Sequence, residues 1–263
     1  MLTYAKAGRA PSIYFEPLPE DEKKHCHSIN MTIHSLSQYI NEFEMSLALF
    51  EHATESLHRA SSRRPLEDPL RLRDIQLCFH WRKVAAQDCA MITYHFCRAR
   101  DGLYESLGKA ETLRSMIDDA LLKKAGKELA AKFPEYFYLR HGIAHSEDKH
   151  KTDEDTAKNT SIGDPISNAI NRPTGISHSW GQMGLGASGG SLSGGSLTGS
   201  ILSTNWKRKM VSLDISKITL DNLRAVREVY YDAFFSLEEN SRNARNSMNE
   251  NNENIAPQPD GCS

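Results

Sequence analysis

Arg140, His141 and His145 are the side chains whose types and spacing bear most directly on chemistry. They stand in the stretch Pro134-Glu-Tyr-Phe-Tyr-Leu-Arg-His-Gly-Ile-Ala-His-Ser-Glu147. An arginine stays charged and presents a planar fork that matches phosphate oxygens. A histidine, with an ordinary pKa near about 6.5, exchanges protons at neutral pH. Cleavage of an RNA chain at an internal phosphodiester needs both talents. A proton must leave the 2′-OH, charge must be stabilised on the phosphate, and a proton must reach the departing 5′ oxygen. None of these steps requires a metal.

The element that must position the three residues is a helix. Pro134 suits a first helical position, where a missing N–H costs nothing. From there Phe137, Leu139 and Ile143 are expected to form an apolar face. At roughly 100° per residue, His141 and His145 lie about 40° apart, and Arg140 and His145 about 140° apart. The long arginine stem can bridge that angle where the helix frays after Ser146. A plainer role is open to the same residues, because cations near a helix end satisfy its exposed carbonyls.

The pattern of Arg, a polar residue, three further residues and His, followed by Ser-Glu on a penultimate helix, resembles the signature of HEPN domains. Arg140, His141 and His145 carry it. The family's second position is most often Asn, where this chain has His141. In one toxin–antitoxin branch a Tyr stands two residues after the motif His, and this chain has Glu147 there. The resemblance implies a small helical domain and a metal-independent endoribonuclease with Arg140 and His145 as catalytic residues. It implies a homodimer with two motifs lining one cleft, RNA as the bound partner, and products ending in a 2′,3′-cyclic phosphate and a 5′-hydroxyl. It also brings an antitoxin or regulatory protein into view as a partner class. Non-catalytic members are the alternative: helical modules that bind RNA or protein and use Arg140 and His145 only to hold the helix end.

Composition narrows the classes. A formal net charge of −2 means that any polyanion site depends on local asymmetry. No run of roughly eighteen apolar residues is present, so no membrane span is expected. The opening Met-Leu-Thr-Tyr-Ala-Lys6 lacks the apolar region of a secretory signal. The chain's 5 cysteines form no Cys-x-x-Cys pair, which fits a reducing, cytoplasmic setting. His25-Cys26-His27 cannot wrap one ion without remote ligands, and no metal or cofactor is expected.

Along the chain, residues 1–27 read as an extended arm with three prolines and the charged run Glu20–Lys24. Residues 28–240 read as one HEPN-like helical domain. Its first helix carries Ile29, Ile33, Leu36, Ile40, Phe43, Leu47, Phe50 and Leu57 at alternating three- and four-residue steps, with Thr54 filling the one polar step. A second helix is expected from Asp68-Pro69 to about Gly102, with Arg71, Arg73, Arg82, Lys83, Arg98 and Arg100 set against Asp74 and Asp88. That excess reads either as a basic face or as ordinary surface charge paired with neighbours. A third helix is expected from Glu111 to Lys132, directly before the motif helix.

Residues 149–200 read as a flexible Gly/Ser-rich loop. Within it Gly184-Leu-Gly-Ala-Ser-Gly189 matches a dinucleotide fingerprint, but no strand precedes it and no helix follows, so it is rejected. Residues 200–215 read as a hairpin, with Val211, Leu213 and Ile215 alternating. Its tip, Trp206, Lys207, Arg208 and Lys209, joins a stackable ring to three cations and is, with His141, the expected nucleic-acid contact. A last helix follows from Thr219, and residues 241–263 read as a disordered tail. The expected architecture is all-α, an antiparallel helical bundle with a small β-hairpin inserted before the last helix.

Overall fold

A computed structural model of the chain describes residues 9–14, 18–63, 69–144, 196–206 and 209–255. Among them are six helices: α1 (Glu20–Arg63), α2 (Pro69–Leu107), α3 (Glu111–Ser115), α4 (Asp119–Lys132), α5 (Tyr136–Ala144) and α6 (Lys217–Ile255). Three strands, β1 (Ser196–Thr198), β2 (Ile201–Trp206) and β3 (Lys209–Asp214), form one antiparallel sheet in the order β1-β2-β3. The expected helical architecture, with a small β element before the last helix, is what the chain adopts. Two compact units divide it: residues 1–38, 98–132 and 224–263 form one, and residues 39–97 and 133–223 form the other.

In the first unit α1 begins at Glu20, eight positions before the expected Ser28, and its first turn carries Glu20, Asp21 and Glu22. Carboxylates there favour the positive end of the helix dipole. The apolar stripe therefore starts earlier, with buried Glu22 and Cys26 preceding Ile29, Ile33 and Leu36. Glu22 belongs on that stripe because it caps α3. Its carboxylate accepts the Thr112 N–H at 3.0 Å and the Leu113 N–H at 3.2 Å.

The segment expected as a solvated arm is partly anchored as well. Ile13 and Leu18 are buried, and Arg9 grips the buried Glu238 carboxylate at 2.8–3.1 Å. The single helix expected over 111–132 is broken into α3 and α4. Asp118 Oδ1 accepts the Ala120 and Leu121 N–H groups, both at 3.0 Å, and so caps α4. Leu122, Ala125 and Leu129 of α4 turn inward. On α6, Leu223, Val226, Tyr230, Phe234 and Leu237 recur at helical spacing and are buried. That helix runs on to Ile255, through much of the segment read as a tail.

The second unit holds the later part of α1, from Tyr39, and α2 as far as Cys97. Phe43, Leu47, Phe50 and Leu57 of α1 are buried there, as are the smaller Ala85, Ala86, Cys89 and Ala90 of α2. The Ser46 hydroxyl donates to Asp88 at 2.5 Å, and the Cys89 thiol approaches the Phe43 carbonyl at 4.0 Å. Leu72, in the first turn of α2, is 58% exposed.

The expected hairpin is β2–β3, in a register that sets Trp206 opposite Lys209. A third strand joins it from inside the stretch read as loop, and residues 149–195 of that stretch lie outside the described residues. Gly199 makes the β1–β2 turn with φ 57°, which a residue without Cβ adopts at no steric cost. The buried Arg82 side chain holds this turn, donating to the Gly199 carbonyl at 2.8 Å and lying 5.1 Å from the Phe50 ring centroid. Asp214 then links sheet to helix: it accepts from Ser200 and Ser216, and its carbonyl takes the Thr219 hydroxyl.

Candidate nucleic-acid site on helix α5

Three stripes of α5 face three surroundings, and together they position Arg140. Leu139, Gly142 and Ile143 form the buried stripe, and α5 packs against β2 and β3. Gly142 is what permits so close an approach. A Cβ placed on it would lie 2.9 Å from Thr204 Cβ and nearer still to the Cγ2 and Oγ1 atoms. Phe137, expected inside with Leu139 and Ile143, is instead 46% exposed. Its ring rests 4.4 Å from that of His141, one helical turn on, as side chains at i and i+4 do.

The third stripe is Tyr136 and Arg140. The Arg140 guanidinium lies 5.1 Å from the centroid of the Tyr94 ring on α2, and the Tyr136 ring lies 6.1 Å from the same ring. Such a cation–π contact orients the guanidinium without using any of its N–H donors. Among the described residues no carboxylate ion-pairs with Arg140, and Arg140 donates no hydrogen bond to a carbonyl of its own helix. Its half-buried fork therefore has no hydrogen-bond or ion-pair partner among the described residues.

Tyr94 is the centre of a longer array that the sequence did not reveal. His95 meets it edge-on at 5.3 Å, and Tyr39 of α1 stacks on His95 at 6.1 Å with 21° between the ring planes. These residues come together only through the antiparallel pairing of α1 with α2. The visible signal was the adjacent pair Tyr94-His95, set between Ile92-Thr93 and Phe96-Cys97.

The remaining expected site residues separate from this array. Arg140 and His141 are adjacent in sequence yet contact different rings. His145, Lys207 and Arg208 lie outside the described residues; Trp206 ends β2 and Lys209 begins β3. Nor is α2 an open basic face. Arg98 and Arg100 both pair with Asp101 at 2.8 Å, Arg73 lies 3.6 Å from Asp74, Arg71 donates to the Ser61 carbonyl, and Arg82 is buried. The helix runs past the expected end at Gly102 to Leu107, taking in Glu105 as well.

Among the described residues no group of His, Cys, Asp or Glu gathers in a metal-binding arrangement. Nor do the described cysteines supply a ready nucleophile. Burial pushes the Cys89 thiol up to about 12, and burial with the nearby Glu22 charge pushes Cys26 up to about 11. Among the described residues no helix is long and apolar enough to cross a membrane. Comparisons with protein-family models, with curated proteins and with solved structures give no match for this chain.

Proposed function

We propose that the protein is an RNA-binding, metal-independent endoribonuclease whose reacting groups are Arg140 and His145. The observation that carries this reading is the uncommitted Arg140 fork, held over Tyr94 and paired with no carboxylate among the described residues. A cation kept for structure alone is normally satisfied by a carboxylate or by carbonyls at a helix end. Among the described residues Arg140 meets neither. In the proposed reaction its N–H donors hold two non-bridging oxygens of the scissile phosphate and stabilise the charge that grows there. His145 follows the last residue of α5, Ala144, by a single position. It exchanges the protons of the 2′-OH and the leaving 5′ oxygen, so the products carry a 2′,3′-cyclic phosphate and a 5′-hydroxyl. The proposal includes a homodimer, because a second copy of the motif supplies a second cation and a second proton-transfer group to one cleft.

The test is incubation of the purified full chain with mixed RNAs in EDTA, followed by chemical identification of the new ends. Cyclic-phosphate ends that Arg140→Ala abolishes support the proposal. Intact RNA, with cooperative unfolding demonstrated for the protein used, removes the catalytic half. The second reading, a non-catalytic module that binds RNA or protein, draws on the same Arg140–Tyr94 contact. A ring and a cation suffice to bind a nucleotide without cutting it.

A further inference from the structure

The array Tyr39, His95, Tyr94 and Arg140 has more aromatic surface than holding one guanidinium requires. Among the described residues one ring, Tyr94, holds the Arg140 guanidinium. His95 meets Tyr94 edge-on at 5.3 Å and is stacked on Tyr39, 6.1 Å away. It is also exposed, whereas Tyr39 and Tyr94 are half-buried. An imidazole in the core would be packed on all sides and hydrogen-bonded. Here it is the exposed middle ring of a row that ends at a cation with no hydrogen-bond partner among the described residues. Rings in a row ending in an uncommitted cation match the repeating parts of one nucleotide, a flat base and an anionic phosphate.

We infer that the exposed His95 ring, backed by Tyr39 and flanked edge-on by Tyr94, is a stacking platform for one unpaired nucleobase of a single-stranded RNA, with the adjoining phosphate on Arg140. This inference rests on the reading above that Arg140 meets an RNA phosphate. Duplex RNA does not satisfy the platform, because each base within a helix already has both faces covered by its neighbours. Every unpaired base offers a π-face, so the platform selects for strand state and is tolerant of sequence. Its contribution is unlike that of Arg140. Stacking adds affinity that changes little with salt, whereas a phosphate contact releases counterions and steepens the salt dependence. The two halves of the site are thus separable by measurement.

The experiment uses the full chain and a single-stranded RNA carrying one 2-aminopurine and 2′-O-methyl groups throughout, so that it cannot be cleaved. Stacking quenches 2-aminopurine fluorescence, and the titration gives Kd. Wild type should quench the probe, and a blunt duplex of the same sequence should compete poorly. His95→Ala should lose the quenching and weaken Kd by at least about five-fold, the lower end of what one base–aromatic contact contributes. Its salt slope should be unchanged. His95→Phe, which restores a ring, should restore both quenching and affinity, as a role confined to holding α2 in place would not require. Arg140→Ala should flatten the salt slope.

Unchanged quenching and affinity in a folded His95→Ala overturns the platform, as does wild-type protein that prefers the duplex or leaves the probe unquenched. Cleavage of unmodified RNA in EDTA is scored separately. If wild type stacks the probe but leaves RNA intact, the nuclease reading falls and the platform stands. If it cleaves and His95→Ala leaves kcat/KM unchanged, the nuclease reading stands and the platform falls.

Discussion

Gly142 of α5 and Thr204 of β2 are packed so closely that any Cβ on the glycine would intrude on the threonine side chain, coming within 2.9 Å of its Cβ. Thr204 is buried and β-branched, so it has little freedom to turn aside. The contact sets how α5 lies on the sheet, two residues after Arg140.

Gly142→Ala should therefore destabilise the protein, by about 1–3 kcal/mol as overpacking does. At an exposed helical site the same change would stabilise by up to about 1 kcal/mol, so the sign itself is diagnostic. Thr204→Ala removes the two nearest offending atoms, and the double variant should lose less than the sum of the singles. Chemical denaturation of the four proteins checks this. Additive losses would contradict the packing account.

Glu22 gives a pH prediction. Burial acts to raise its pKa, but hydrogen bonds from the Thr112 and Leu113 N–H groups outweigh that and hold it below the ordinary value of about 4.5. A carboxyl whose folded pKa is depressed contributes stability that is complete above its unfolded pKa. That contribution fades as pH falls below about 4.5 and is gone below the folded value. The denaturation midpoint of wild type should exceed that of Glu22→Gln at neutral pH, and the gap should narrow on acidification through this window. A constant gap would show that the charge is not what caps α3.

Arg82 is the buried anchor of the β1–β2 turn, and burial lowers its pKa without a carboxylate partner among the described residues. Arg82→Ala leaves the Gly199 carbonyl unpaired and uncovers the Phe50 ring. A loss of about 1.5–3 kcal/mol is expected, the range for hydrogen bonds to charged groups. Faster exchange of amides in β1 and β2 should accompany it, with little change in α3 and α4. Uniformly accelerated exchange would argue against a local anchor.

The parts legible in the sequence were those that periodicity writes locally. The Ile29–Leu57 stripe of α1 and the Val211, Leu213 and Ile215 alternation were readable because each repeat buries the same face. Glu22 was misread as part of a solvated arm because its partners, Thr112 and Leu113, lie on another helix. Strand β1 was hidden because Leu197 is its one apolar residue, set in Gly/Ser-rich text. At the site, Arg140 was legible from its own stretch. Tyr94, His95 and Tyr39 were not, since their meeting depends on the register of α1 against α2. Phe137 was assigned inward because helical spacing fixes an angle but not which side the sheet will cover.

The central claim is that Arg140 and His145 cut RNA rather than close a helix. Its most direct measurement is kcat/KM on a single-stranded RNA in EDTA, for wild type beside His145→Ala and Arg140→Lys, with melting recorded for each. Loss of a general acid/base should lower the rate on the order of 10²–10⁴ in His145→Ala. Arg140→Lys keeps the charge but loses the two-pronged phosphate contact, so it should be impaired although it is formally conservative. His141→Asn, which places the commoner residue beside Arg140, should cleave at close to the wild-type rate. The account predicts these losses with melting unchanged. Folded His145→Ala or Arg140→Lys protein that cleaves as wild type does would contradict it.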